Sequence, residues 1–358
     1  FRAHGPFTVL LLLLYLAGLV ATQLSVHWVV ATLGFPYPSF LTLLQFLVLE
    51  VMLLLRYDRR ILKIQDTATG VDMRLKSLRF VTFYMYKIAP IGAAMALCTA
   101  ANNESLKLIS PGLNAIIASM TPVFTGLISA CCGVRMSAQA WVALLIATGG
   151  GFFTVQGALR DMGSTLTSMG GDAWKVLLGL FLAFGGMVLR AMKTVIIERA
   201  VRPSRSSRPW QAQYPVLTPT QTLVLQTPMV VAVSFLCALA DPAGLKEPII
   251  VLTGLLERPM LALGLIVNFA AAMVLQVLGL VIIRMLGATS MQLAGKFNIF
   301  IVMALSAAYT GEHIPMDEWA GALVILFAAN MFTKAMKKHG SPSVEEVEAM
   351  HSKEGHAV

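Results

Sequence analysis

The segment Pro259–Ile283 reads PMLALGLIVNFAAAMVLQVLGLVII and carries no charged residue in 25 positions. An α-helix rises about 1.5 Å per residue, so a helix of this length spans the ~30 Å hydrocarbon core of a bilayer. Two further runs, Phe7–Val30 and Trp141–Val155, are similarly apolar. These segments are too apolar for the amphipathic helices of a soluble protein. They predict a polytopic membrane protein of the all-α class.

The composition supports this prediction and limits the alternatives. Of the 358 residues, 57% are hydrophobic and 13% are charged, whereas about a quarter of the residues in a soluble domain are charged. Lys and Arg outnumber Asp and Glu by 27 to 18, and a basic balance is also common in proteins that bind nucleic acid. No polar segment is long enough for a soluble DNA-binding or catalytic domain, so we expect no nucleic-acid partner. The four cysteines lie in apolar segments and are expected to pack rather than to form disulfides.

Apolar runs separated by charged residues, Pro and Gly predict ten transmembrane helices. They cover approximately residues 7–31, 39–56, 80–102, 111–132, 138–157, 173–198, 219–240, 259–284, 288–310 and 316–336. We divide the chain into a first five-helix half over residues 1–157, a connecting loop over 158–172, a second five-helix half over 173–336 and a disordered cytosolic tail over 337–358. The first run is too long for the apolar core of a signal peptide, so we expect a retained span. The chain begins with Phe1, and we expect further N-terminal residues before it.

The positions of the basic residues predict both orientation and chemistry. With a cytosolic N-terminus, the cytosolic segments hold 18 Lys and Arg and the opposite side holds 5, so both termini are predicted to be cytosolic. Four cations lie well inside predicted spans rather than at their ends, and Glu50 is the one acid with a similar position. A buried unpaired charge costs several kcal/mol unless it faces water, a partner or a ligand. We therefore predict that an anionic ligand supplies the missing negative charge.

The two predicted halves carry weak internal similarity. Gly133 precedes Trp141 by eight residues, and Gly311 precedes Trp319 by the same interval, at an offset of 178. A second match, at an offset of 166, pairs LYLA of the first span with LFLA of the sixth. Because each half has an odd number of spans, the halves would have inverted topology. Inverted repeats of this kind are typical of secondary transporters.

Several local motifs occur in an order that resembles one family. They are GFPYPSFLT at 34–42, KIAP at 87–90, NESLKLIS at 103–110, TPVFT at 121–125, LR at 189–190, LTP at 217–219 with Pro228, and AGKF at 294–297 followed by GE at 311–312. This order is similar to that of the triose-phosphate/nucleotide-sugar translocator (TPT) family of the drug/metabolite transporter superfamily. The resemblance implies ten helices in two inverted halves and alternating access to one central cavity. It implies an antiporter that exchanges one phosphate-bearing organic anion for a phosphate-bearing counter-substrate.

The resemblance also bears on the substrate. The plastid phosphate translocators have a phosphate-binding lysine where this chain has Ala118, and the Asn-Lys pair common in the first span is replaced by Val26 and His27. We therefore expect a nucleotide sugar or a sugar phosphate. A plastid translocator of triose phosphate or phosphoenolpyruvate is the alternative. The expected compartment is the Golgi or the endoplasmic reticulum, with a plastid membrane as the alternative, and a homodimer remains open.

The candidate substrate-binding residues are polar side chains within the spans. Arg190 and Lys193 are three residues apart and share a helix face. Gln292 lies one turn before Lys296, and the repeat pairs it with Asn114. The complete set is Lys296, Arg190, Gln292, Asn114, Lys193, His27, Lys87 and Tyr84. Snorkelling to the membrane surface is the alternative for the lysines, and hydrogen bonding between helices is the alternative for Asn114 and His27.

Other functions are less consistent with the sequence. An intramembrane protease needs a pair of aspartates, a Ser–His pair or a metal-binding motif, and the predicted spans hold no pair of aspartates. We therefore predict a protein that is not an enzyme and that uses no cofactor or metal. A membrane scaffold or receptor stays as an alternative, although neither role requires embedded cations. The expected partners are the lipid bilayer and phosphorylated small molecules.

Overall fold

The structure is a computed structural model whose described residues are all helical or lie in the turns between helices. Among the residues that the structure describes there is no β-strand. The described residues are 5–55, 78–109, 114, 117–118, 120–134, 136–153, 173–201, 217–241, 244–295, 301 and 316–338.

Twelve α-helices occupy the described ranges. They are α1 (Gly5–His27), α2 (Pro38–Leu55), α3 (Leu78–Phe83), α4 (Ala89–Leu108), α5 (Thr121–Cys131), α6 (Ala138–Phe153), α7 (Ala173–Val201), α8 (Pro219–Ala240), α9 (Lys246–Thr253), α10 (Pro259–Leu286), α11 (Ala288–Gly295) and α12 (Met316–Lys338). A π-helical turn, Trp28–Thr32, extends α1, and a second one, Tyr84–Ile88, joins α3 to α4.

Six helical segments in the described residues are long and apolar enough to cross a membrane. They are Leu10–Val30, Pro38–Leu55, Arg79–Ser105, Trp174–Val201, Pro219–Ala240 and Pro259–Leu286. Three shorter apolar helices, Thr121–Cys131, Ala138–Phe153 and Leu323–Phe332, lie within the predicted fourth, fifth and tenth spans but are too short to count as membrane spans. Most of the predicted ninth span, 288–310, lies outside the described residues. The prediction of an all-α, multi-pass membrane protein is confirmed at this level.

Local sequence signals explain two of the helix boundaries. The Thr218 hydroxyl accepts a hydrogen bond from the backbone N–H of Gln221, whose side chain accepts one from the Thr218 N–H. This reciprocal cap and Pro219 at the first turn fix the start of α8. The second boundary is the π-helical turn Tyr84–Ile88, which ends two residues before Pro90. Proline has no N–H to donate and clashes with the preceding turn of an α-helix, so a wider turn accommodates it.

The helices pack in pairs that join distant parts of the chain. α1 lies antiparallel to α10, and α4 lies antiparallel to α7. α2 packs on α8, which also packs on α4, and α6 packs on α12. At the α6–α12 contact, a Cβ atom on Gly150 would lie 2.9 Å from the Gly321 carbonyl oxygen, so the backbones approach closely. Small residues at such contacts are typical of helices that associate within a membrane.

Large apolar side chains cover the outside of the bundle as well as its interior. Phe181 and Ile266 are 72% and 63% exposed, although both lie within membrane-spanning helices. In water, a surface of this kind would favour aggregation, whereas lipid tails solvate it. The exposed apolar surface therefore supports a bilayer environment.

Two buried groups of residues fill the interior near the C-terminal end of α1. One is a polar network in which the Asn268 amide donates to the Ser25 hydroxyl at 2.9 Å and accepts from the Gln45 amide. The other is the Phe35 cluster, an apolar group formed by Val29, Phe35, Phe40, Leu41, Leu43, Ala238, Leu261 and Leu265. Together they hold α1, α2 and α10 tightly against one another on this side of the protein.

Candidate functional site

A cavity of about 490 Å³ lies at the centre of the bundle. This volume is within the usual range for small-molecule sites. The cavity is lined by Tyr15, near the middle of α1, and by Gln276, in the second half of α10. It therefore lies well inside the membrane-spanning helices. Half of the lining residues are polar. These are Tyr15, Asn102, Asn114, Thr121, Arg190, Lys193, Thr194, Gln226, Gln276 and Gln292.

Arg190 and Lys193 supply the positive charge of the cavity wall. Both lie on α7, one helical turn apart, and both are partly buried. Among the described residues no Asp or Glu lines the cavity, and Glu50 on α2 is not one of its lining residues. The guanidinium of an arginine offers a planar pair of N–H donors, and a lysine offers a compact charge. This arrangement can bind an anionic group.

A pair of asparagines forms another part of the wall. The Asn114 side-chain amide donates to the Asn102 Oδ1 atom at 3.0 Å, and Asn114 is buried. The Ser105 hydroxyl donates to the Asn102 backbone carbonyl at 2.8 Å and lies 3.5 Å from the Asn114 Oδ1 atom. These bonds fix the two asparagine side chains, and Asn102 and Asn114 both face the cavity.

Glutamines line the cavity from three further helices. Gln226 lies on α8, Gln276 on α10 and Gln292 on α11. The two threonines on the wall differ from them, because Thr121 donates to the Ala118 carbonyl and Thr194 donates to the Ala191 carbonyl. The amide groups are therefore better placed than the hydroxyls to interact with a ligand.

The structure brings together four of the eight residues predicted from sequence. Arg190, Lys193, Asn114 and Gln292 all line the cavity. Lys296 lies outside the described residues, although the preceding Gly295 lines the cavity.

Of the three remaining predicted residues, two lie away from the cavity wall. Lys87 and Tyr84 belong to the π-helical turn before α4 and do not line the cavity. Tyr84 instead packs against Phe80, with ring centroids 6.3 Å apart. His27 is the last residue of α1, and its side chain lies outside the described part of the chain.

Sequence reasoning missed Asn102, Gln226 and Gln276 as lining residues. The motif NESLKLIS begins at the neighbouring Asn103, which borders a separate pocket of about 10 Å³ beside Thr99. The two asparagines face different pockets because neighbouring residues of a helix point about 100° apart. Gln276 did carry a signal, because it is one of only two amides within the 25 uncharged residues of Pro259–Ile283.

Comparison with known proteins finds a similar fold but no family. Neither a model of a known protein family nor a curated protein matches the chain. A solved crystal structure of a protein is similar to it with a TM-score of 0.53 and 18% sequence identity, over 90% of this chain and 98% of the other. At this level of identity the similarity concerns the fold alone. The chain is a multi-pass, all-α membrane protein with a polar cavity among its helices.

Proposed function

We propose that the protein is a secondary transporter, an antiporter that carries phosphate-bearing organic anions through its central cavity. The observation that carries this proposal is the pair of cations, Arg190 and Lys193, on a cavity wall to which no described residue contributes a carboxylate. Two cations in a membrane interior are costly unless an anion or water accompanies them. A phosphate group matches both, because its oxygens accept two bonds from a guanidinium and one from an ammonium.

The uncharged part of the wall fits the remainder of such a ligand. The amides of Asn102, Asn114 and Gln292 offer donors and acceptors that suit the hydroxyl groups of a sugar or the edge of a base. Ala118 also lines the cavity, so the position at which the resemblance would put a further phosphate-binding lysine is small and uncharged. This favours a nucleotide sugar or a sugar phosphate over triose phosphate.

The packing of the helices supports an inverted repeat. If α1 is equivalent to α7 and α4 to α10, the contact of α1 with α10 corresponds to that of α4 with α7. The contacts of α2 with α8 and of α6 with α12 would then each join equivalent helices. This is the relationship expected of two halves related by a pseudo-two-fold axis, and it agrees with both sequence offsets.

Alternating access would follow from movement of the two halves around the cavity. The Asn268 network and the Phe35 cluster close α1 against α10 on the side where α1 ends. A Cβ atom on Gly264 would lie 2.7 Å from a Leu33 methyl group, so this closure is tight. We therefore propose that the ligand enters from the opposite side in the conformation described here and leaves after these contacts separate.

Reconstitution into liposomes tests the proposal. Vesicles preloaded with an unlabelled phosphate compound should accumulate the radiolabelled form of the same compound, in a screen of nucleotide sugars, sugar phosphates, triose phosphate and phosphoenolpyruvate. Uptake should fall at least about tenfold in the Arg190→Gln, Lys193→Gln double variant, because charged hydrogen bonds are lost. Lys175→Gln, on the same helix but not on the cavity wall, is the matched control and should retain uptake.

Two results would overturn this function. The first is a failure of every phosphate compound to exchange while an organic cation is carried. The second is uptake of phosphate compounds that is the same in the double variant and in Lys175→Gln.

A further inference from the structure

The side chain of Gln226 on α8 is buried at the cavity wall without a hydrogen-bond partner. Gln226 is 2% exposed, and its Oε1 atom is buried and accepts no hydrogen bond. The neighbouring polar residues on α8 are satisfied, because Thr222 donates to the Thr218 carbonyl and Thr227 donates to the Leu223 carbonyl. The Ser234 hydroxyl of α8 is also buried and unpaired, but Ser234 borders the separate small pocket. Gln226 is therefore the unpaired polar residue of α8 that lines the central cavity.

The close contact between α4 and α8 limits how far the backbone around Gln226 can move to give its side chain a hydrogen-bond partner. A Cβ atom on Gly92 of α4 would lie 2.8 Å from the Gln226 carbonyl oxygen, so the two helices are in close contact there. The same carbonyl lies at the α4–α8 contact, next to Val230, which is fully buried. α8 cannot move closer to α4 at this point, and the cavity that Gln226 lines is where a ligand can supply the missing partner.

A buried acceptor without a hydrogen bond lowers the stability of the ligand-free protein. The cost disappears when a ligand presents a hydroxyl or an N–H group to the oxygen. Ionised phosphate and carboxylate groups have no donor, so they can bind Arg190 and Lys193 but cannot satisfy Gln226. A ligand that satisfies the whole cavity therefore carries both an anionic group and a hydrogen-bond donor.

We propose that Gln226 is a specificity-determining residue that selects phosphate compounds carrying a hydroxyl or N–H donor against purely anionic ones. This inference rests on the proposed transport of phosphate compounds and narrows its substrate class. A site built to bond a donor rejects an analogue without it, because the buried oxygen is then left unpaired. Sugar phosphates and nucleotide sugars carry such donors, whereas fully ionised phosphoenolpyruvate carries none.

The test compares two ligands in two variants of the purified protein. Gln226→Met removes the amide with little change of volume, and Thr227→Val is the control, since the Thr227 hydroxyl is bonded within its own helix. Affinities for glucose 6-phosphate and phosphoenolpyruvate are measured by calorimetry at mildly alkaline pH, where phosphate is fully ionised. Gln226→Met should weaken glucose 6-phosphate binding by about tenfold or more and leave phosphoenolpyruvate binding unchanged. Thr227→Val should keep the wild-type ratio of the two affinities.

The thermal stability of the ligand-free protein gives a second reading. Because Gln226→Met removes an unpaired acceptor, the Tm of the empty variant should equal or exceed that of the wild type. A variant that is more stable yet binds the donor ligand less tightly indicates a binding role. A lower Tm with equal loss of both ligands would indicate packing and would overturn the inference.

The remaining outcomes separate this inference from the proposed function. If Arg190→Gln weakens both ligands and Gln226→Met weakens neither, the specificity role falls and the transport function stands. If wild-type protein binds neither glucose 6-phosphate, phosphoenolpyruvate nor any compound of the wider phosphate screen, the function falls and this inference falls with it.

Discussion

The Tyr37 hydroxyl donates a hydrogen bond to the Glu247 carboxylate at 3.1 Å. Tyr37 precedes α2, and Glu247 lies in the first turn of α9, so the bond joins segments 210 residues apart. The Tyr37 ring also packs edge-to-face on Phe35, with centroids 5.4 Å apart. The bond therefore lies beside the Phe35 cluster and ties together the two predicted halves where α1 and α10 are closed.

The first prediction concerns the titration of Tyr37. Its pKa is raised above the ordinary tyrosine value by partial desolvation and by the hydrogen bond and negative charge of Glu247. The folded state thus holds the phenolic proton more tightly than the unfolded state. The stabilising contribution is present below the unfolded pKa and is lost as pH rises through the higher folded pKa.

Ultraviolet titration of tyrosinate measures this effect, with Tyr37→Phe used to identify the Tyr37 signal. We expect Glu247→Gln to lower the pKa of Tyr37 toward the ordinary value. A Tyr37 pKa that is the same in wild type and in Glu247→Gln would contradict the described bond.

The second prediction concerns the geometry of anion binding at Arg190. Arg190→Lys keeps the positive charge but removes the planar pair of donors, so phosphate affinity should fall by about 1–2 kcal/mol. Arg190→Gln should lose more, because the charge is lost as well. Isothermal titration with a sugar phosphate in detergent gives the three affinities. Equal affinity in the wild type and Arg190→Lys would argue against a two-donor contact.

The third prediction concerns the buried polar network. Asn268 is fully buried and bonds both Ser25 and Gln45, so Asn268→Leu leaves two polar groups without their partner. We expect a loss of about 1–3 kcal/mol in the free energy of unfolding. Ser25→Ala, which removes only one bond, should cost less, since single interhelical bonds in membranes average about 0.6 kcal/mol. Chemical unfolding in mixed micelles would rank the two variants, and the reverse order would exclude Asn268 as the centre of the network.

The fourth prediction uses two adjacent glycines of α6. A Cβ atom on Gly150 would lie 2.9 Å from the Gly321 carbonyl oxygen, whereas one on Gly149 would meet nothing within 4 Å. Gly150→Ala should therefore separate α6 from α12 and cost about 1–3 kcal/mol. Gly149→Ala should be neutral or stabilise the helix by up to about 1 kcal/mol, because alanine has the higher helix propensity. Thermal unfolding of both variants tests this contrast, and a Tm loss of equal size would contradict the α6–α12 contact.

The sequence predicted the membrane class well because that class depends on long apolar segments. A segment such as Pro259–Ile283 has few stable alternatives in a bilayer, since its backbone must satisfy its own hydrogen bonds. The sequence also located Arg190 and Lys193, because a charge within a span is costly and therefore conspicuous. The count of ten spans and the repeat stay predictions.

The uncharged part of the site was harder to predict. Whether an amide faces the cavity, a neighbouring helix or lipid depends on helix rotation, which a single apolar sequence specifies weakly. Asn102 and Asn103 illustrate this, because one faces the central cavity and the other a different pocket. The absence of a hydrogen bond to Gln226 depends on the contact between α4 and α8, and no sequence pattern within either helix predicts that contact.

The common location of Arg190 and Lys193 on α7 has an electrical consequence. A rigid helix carries both charges together, so a movement of α7 along the membrane normal displaces two positive charges in the transmembrane field. Moving one charge across 100 mV takes about 2.3 kcal/mol of electrical work. The two negative charges of a bound dianion would cancel the work done on Arg190 and Lys193. Membrane voltage should therefore bias the return of the empty protein more than exchange of the loaded one, which current recordings on reconstituted bilayers can measure.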